Sequence, residues 1–252
     1  MPISYDEAIQ ISKQFACELA HQFQDKIIAV FAIGSLGSDY YRPGQSDIDT
    51  AVITSFRRND VQRAASEIEN IADRYWKEYQ VPKGFGAIVF AEEQLYPPYV
   101  QSEELILEIL RLKTQSRLLY GEYDITRIPK PHRQAIIDDA RSFQEWADAE
   151  KRRDPSFRVN SEQTLVNSTL IALKRYLMIQ HGIIEFNKFK VIGIYLENQP
   201  PLVNKNVFDY INRSLHSDDT KVSSDEFEQM VRWHDELYHV INHLVLYSEK
   251  TE

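Results

Sequence analysis

Asp47 and Asp49 are two carboxylates separated by one apolar residue, Ile48, and followed by Thr50-Ala51-Val52-Ile53, a small and β-branched run. Such a run is a strand, and side chains two apart on a strand point to the same face. Two like charges held together repel unless a cation lies between them. Hard oxygen ligands on a rigid strand suit Mg²⁺, whose octahedron is completed by water and phosphate oxygens. The pair therefore implies a metal and, through it, a phosphate-bearing ligand such as a nucleotide. Upstream, Gly34-Ser35 closes another apolar run. A glycine lets backbone approach phosphate oxygens, and a hydroxyl with neighbouring N–H groups can donate to them. Each half alone is commonplace, a turn in one case and a solvated acidic pair in the other. Their joint placement between two apolar strands is what carries the inference.

The elements that must position these residues follow from the flanking patterns. Ser4 and Glu7 form a capping box ahead of Ala8, Ile11, Phe15, Leu19 and Phe23 at helical spacing. Ile27 to Ile33 is wholly apolar and predicts a strand buried on both faces. Ile48 to Ile53 predicts a second strand and Phe85 to Ala91 a third, with a helix capped by Asp60 between them. A helix over Ser102 to Leu119 stops at Gly121. Helix, strand, loop, strand, helix, strand predicts a small mixed sheet carrying helices. The proline-containing stretch from Glu122 to Pro131 predicts a linker between a domain over 1–122 and a second over 131–252. In the second, Pro131, Ser161 and the Ser223/Glu226 pair open helices, and Phe186 to Leu196 and Val207 to Leu215 read as shorter ones, the first with a strand as its alternative. The expected class is α+β: a mixed-sheet domain followed by an α-helical bundle.

The stretch from Gly34 to Ile53 closely resembles the signature of the nucleotidyltransferase superfamily, which includes DNA polymerase beta: Gly-Ser, a loop, then acidic-hydrophobic-acidic. It looks most like the aminoglycoside nucleotidyltransferases, and the small nucleotidyltransferase antitoxins share it. Ser116-Arg117-Leu118-Leu119-Tyr120-Gly121 looks like the end of the catalytic domain in the antibiotic-modifying members. The resemblance implies that Asp47 and Asp49 hold Mg²⁺ and are the catalytic carboxylates. It implies that Gly34, Ser35 and Ser46 meet the triphosphate of ATP, and that AMP passes to a hydroxyl of a small acceptor such as an aminoglycoside. It further implies an asparagine, a basic helix residue and a lysine from the helical domain, positions that Asn167, Lys174 and Lys188 match by spacing. One departure stands out. Family members that catalyse transfer usually carry a third carboxylate near the start of the third strand, as metal ligand or base. Here Lys83-Gly84-Phe85-Gly86-Ala87-Ile88-Val89-Phe90 has no acid. Glu92 and Glu93 would substitute only if register or chain direction differed from the expected one. The alternative is a nucleotide-binding regulatory or toxin-antitoxin-type protein of the same fold with little or no transferase activity.

Composition narrows the rest. The 252 residues are 43% hydrophobic and 12% aromatic, ample for packed cores. A net charge of -9 opposes a long nucleic-acid partner, which needs a basic stripe. No window approaches the roughly 20 apolar residues of a membrane span, so the expectation is a cytoplasmic protein without a membrane. The single cysteine, Cys17, rules out an internal disulfide and is expected to be a buried thiol. His234, His239 and His243 share one predicted helix but show no further ligand, and read as bundle residues. P-loop, Rossmann and hydrolase-elbow motifs are absent.

Overall fold

The computed structural model describes residues 2–38, 40–97, 106–153, 161–216 and 223–247. The chain divides into two compact units, Met1–His132 and Arg133–Glu252.

In the first unit, helix α1 spans Tyr5–Phe23 behind its capping box: the Glu7 backbone N–H donates to Ser4 Oγ, and the Ser4 N–H donates back to the Glu7 carboxylate at 2.8 Å. Strands β1 (Ile27–Ile33), β2 (Ile48–Thr54), β3 (Phe85–Ala91) and β4 (Ser116–Gly121) form one sheet in the order β3-β2-β1-β4. One turn of helix, α2 (Gly34–Gly37), follows β1. Helix α3 (Arg58–Tyr79) crosses over from β2 to β3, the connection that parallel strands require. β1 is antiparallel to both β2 and β4.

Strand alternation sorts the buried side chains into two layers. Val30, Ala32, Ile48 and Val52 pack with α1 and α3 through Phe15, Leu19, Ile68 and Ala72. Ala29, Phe31, Ile33, Ala51, Ile53 and Phe90 pack on the other face with Ile109 and Leu112 of helix α4 (Ile106–Thr114). Asp49 alternates with Ala51 and Ile53, so it belongs to the α4 face.

Several expectations are corrected here. Ser116–Gly121 is an edge strand rather than the tail of a helix, and the expected helix onset at Ser102 lies outside the described residues. α3 is capped at Arg57, so Asp60 sits in its first turn. Cys17 is exposed, because Ala16 and Leu19 take the buried face of α1 and Cys17 falls off it.

The second unit is helical: α5 (Arg133–Arg153), α6 (Glu162–His181), α7 (Val191–Glu197), α8 (Lys205–His216) and α9 (Ser224–Tyr247). Ser161 caps α6, and Gly182 ends it in the left-handed conformation at φ 67°. Leu173, Tyr195, Phe208, Trp233 and Leu237 centre its core. The Phe186 to Leu196 segment becomes helical only at Val191, after a turn in which the Phe189 N–H donates to Asn187 Oδ1 at 2.9 Å. His234 is buried with Nε2 3.0 Å from Ser168 Oγ, and among the described residues no group of three His, Cys, Asp or Glu is arranged to hold a metal ion. No helix among those residues is long and apolar enough to cross a membrane.

Candidate active site at the head of β2

The two halves of the motif meet where β1 ends and β2 begins, because the antiparallel pairing sets Ile33 opposite Asp49. Gly34 turns the chain off β1 with φ 65°, a left-handed conformation that costs an ordinary residue about 1–2 kcal/mol. Ser38 Oγ donates to the Gly34 carbonyl at 2.5 Å and closes the turn. Gly37 is needed for closeness: a Cβ there would lie 2.4 Å from the Gln115 carbonyl and 2.6 Å from that of Ala32. Ser35 Oγ is shielded from solvent and has no hydrogen-bond partner among the described residues. A buried hydroxyl without a partner is costly, and such groups mark strain, an ordered water or a ligand's place.

The loop back to β2 is fastened at several points. Tyr40 donates to Gln115 Oε1 at 2.9 Å, and Tyr41 donates to the Ile3 carbonyl at 3.3 Å. Burial first, then the negative charges of Asp47 and Glu7, push the Tyr41 hydroxyl above its ordinary pKa and keep it a donor. These phenols hold the loop. Ser46 is buried, and its Oγ accepts from the Arg42 N–H at 3.0 Å. The turn it closes delivers Asp47, exposed, to the start of β2.

Asp49 is better enclosed, and its two oxygens have different surroundings. Oδ2 accepts from Arg111 Nη2 at 2.7 Å, and Arg111 Nη1 in turn donates to Glu108 Oε2 at 3.0 Å. Both sides of the Asp49–Arg111 pair are about a quarter exposed, at 26% and 23%. Burial works against the Arg111 charge, but the Glu108 and Asp49 carboxylates outweigh it, so its pKa rises above the ordinary value. Oδ1 faces β3, where Gly86 stands in register with Asp49 and a Cβ would lie 3.1 Å away.

That register bears on Glu92 and Glu93. β3 runs parallel to β2, with Asp49 beside Gly86 and Thr54 beside Ala91. Glu92 and Glu93 therefore follow the far end of the strand, and Glu93 accepts there from the Arg58 N–H at the start of α3. Neither substitutes for the missing acid. Arg111 and Glu108, which the sequence analysis did not single out, are the charged groups the fold does bring to Asp49. The visible signal was only an i,i+3 charge pair on a helix, which is ordinarily a solvated face.

No protein-family model matches the chain, and no curated protein sequence does. A solved structure does: the spectinomycin adenyltransferase AAD(9) from Enterococcus faecialis, with ATP and spectinomycin, at a TM-score of 0.61 over 92% of this chain and 98% of that one. The fold is that of a nucleotidyltransferase. At 14% identity the likeness speaks for the architecture alone. Within this nucleotidyltransferase fold, Gly34, Ser35, Ser46, Asp47 and Asp49 belong to the first unit. Asn167 and Lys174 lie on α6, and Lys188 precedes α7, all in the second. The Lys174 ammonium lies over the Phe186 ring at 6.0 Å and that of Lys188 over Phe189 at 5.4 Å.

Proposed function

We propose that the chain is a Mg²⁺-dependent nucleotidyltransferase that moves AMP from ATP to a hydroxyl of a small acceptor such as an aminoglycoside. The observation that carries this is the junction of β1 and β2, which sets Asp49 beside a Gly-Ser turn whose serine hydroxyl has no partner among the described residues, in a fold shared with an adenyltransferase. The donor chemistry fits a hard divalent ion: Asp47 and Asp49 would offer it carboxylate oxygens, and such an ion completes its shell with phosphate and water. Such an ion would supply polarisation of the α-phosphate and stabilisation of departing pyrophosphate.

The chain's own residues account for binding and orientation. Gly34 carries no side chain between the turn and Asp49, Ser35 offers its hydroxyl to phosphate, and Ser46 holds Asp47 in place through the Arg42 turn. By the resemblance, Asn167, Lys174 and Lys188 are proposed as further nucleotide-binding residues. With Gly86 beside Asp49, β3 provides no base for the acceptor's proton. That feature favours the second reading, a nucleotide-binding regulatory protein of the same fold with little transfer. The two readings separate on acceptor-dependent pyrophosphate release.

The primary test is calorimetric titration with ATP, with and without Mg²⁺, on the wild type and on Asp47→Asn/Asp49→Asn. Binding by wild type that requires the metal and is lost in the variant is the expected outcome. A folded wild type that binds neither ATP nor GTP, CTP or UTP with Mg²⁺ overturns both readings.

A further inference from the structure

A charged group that neither half of the motif predicts meets both of them. Arg111 reaches from α4 to Asp49 across 62 positions of sequence. Its guanidinium is a fork, with Nη2 on Asp49 and Nη1 on Glu108. The same Nη2 lies against Gly34, where a Cβ would come within 2.7 Å of it, with Asp49 Oδ2 at 3.6 Å. The cation therefore fills the corner between the Gly-Ser turn and the strand-head carboxylate, where phosphate and metal are expected to meet.

We propose that Arg111 is a nucleotide-binding residue that neutralises Asp49 in the free protein, leaves Asp49 when that carboxylate takes a divalent ion, and then pairs with a triphosphate oxygen. This rests on the nucleotidyltransferase reading and adds to it an assignment for a residue outside the motif. Three features support it. A metal on Asp49 Oδ2 would meet a second cation there, since that oxygen already accepts a short bond from the guanidinium, and the two repel. Glu108, one turn back on the same helix, keeps hold of the second prong, so release from Asp49 leaves the guanidinium in the site rather than in solvent. Arginine's planar fork also suits phosphate oxygens as well as carboxylates. Glu108 acts here through Arg111 and is a positioning residue.

The consequence is coupling: a divalent ion alone must displace Arg111 without compensation, whereas ion and nucleotide together give the arginine a new partner. The test measures Mn²⁺ alone by electron paramagnetic resonance and ATP in Mg²⁺ by calorimetry, on wild type and Arg111→Gln. The variant is expected to bind Mn²⁺ alone about tenfold more tightly and ATP in Mg²⁺ about tenfold more weakly. A purely structural bridge between α4 and β2 would lower the melting temperature and leave both affinities unchanged, and that result overturns the proposal alone. Absence of any Mg²⁺-dependent nucleotide binding by wild type overturns it together with the function it rests on. Should Arg111→Gln fail to fold, Arg111→Lys keeps a cation without the fork. It is expected to move both affinities in the same directions by about threefold, and no change in either overturns the proposal.

Discussion

Replacing Gly34 by alanine tests the corner between turn, strand and helix in one step. The residue has φ 65°, so any side chain carries a backbone penalty of about 1 kcal/mol. The new methyl would also stand 2.7 Å from Arg111 Nη2, the far end of a flexible side chain, which must move away. That nitrogen is the one bonded to Asp49, so the movement breaks the ion pair. A pair about a quarter exposed on both sides is worth only about 0.5–1 kcal/mol after screening by solvent. Gly34→Ala should therefore destabilise the protein by about 2 kcal/mol in urea unfolding. The decisive measurement is a double-mutant cycle with Arg111→Gln. In that background the methyl meets no guanidinium and there is no pair left to break, so Gly34→Ala should cost only its backbone share of about 1 kcal/mol. A coupling of about 0.5–1 kcal/mol is expected. If the two substitutions add to within about 0.3 kcal/mol, the guanidinium does not rest on Gly34 and the reasoning is refuted.

Two further outcomes follow from the same geometry and from the first helix. Gly86→Glu should place a third carboxylate beside Asp49 Oδ1, which a Cβ would approach to 3.1 Å, a tight contact that the Asp49 side chain must ease by a small shift. The variant should be less stable than wild type without metal, by about 1 kcal/mol of like-charge repulsion, and its melting temperature should gain more from Mn²⁺; an equal gain in both proteins refutes the placement. The Ser4 backbone N–H first, then the Ser4 hydroxyl, hold Glu7 below its ordinary pKa of 4.5. A depressed carboxylate contributes stability that is present above the unfolded value and lost as pH falls through the folded one. Wild type should lose stability below pH 4.5 more steeply than Glu7→Gln, and parallel acid-denaturation curves would remove the capping box from the account.

What was legible in the sequence was whatever depends on near neighbours. The strands Ile27–Ile33, Ile48–Thr54 and Phe85–Ala91 were readable from their apolar and β-branched runs, and alternation within β2 put Asp49 on the face of Ala51 and Ile53. The capping box at Ser4 is a three-residue device and was readable as such. β4 was not readable, because Arg117-Leu118-Leu119-Tyr120 continues the helical spacing of α4, and an edge strand with Leu118 and Tyr120 exposed shows no buried alternation. Arg111 and Glu108 were missed for a different reason. A helix surface says which charges are neighbours along it, but the carboxylate that meets them comes from a strand placed by the sheet. The lack of an acid from Lys83 to Phe90 was visible in the sequence, while the pairing of Asp49 with Gly86 required the parallel register of β2 and β3.

The strand order has a consequence for how the chain assembles during synthesis. β3, β2 and β1 can pair once residue 91 has left the ribosome, but the other edge of β1 has no partner until residues 116–121 follow. Until then the most apolar strand of the molecule, IIAVFAI, presents a bare row of N–H and C=O groups. An open hydrophobic edge of that kind templates pairing between chains. Nascent chains halted between those two points should therefore be the aggregation-prone ones, and the short, exposed β4 acts as the seal that ends their stickiness.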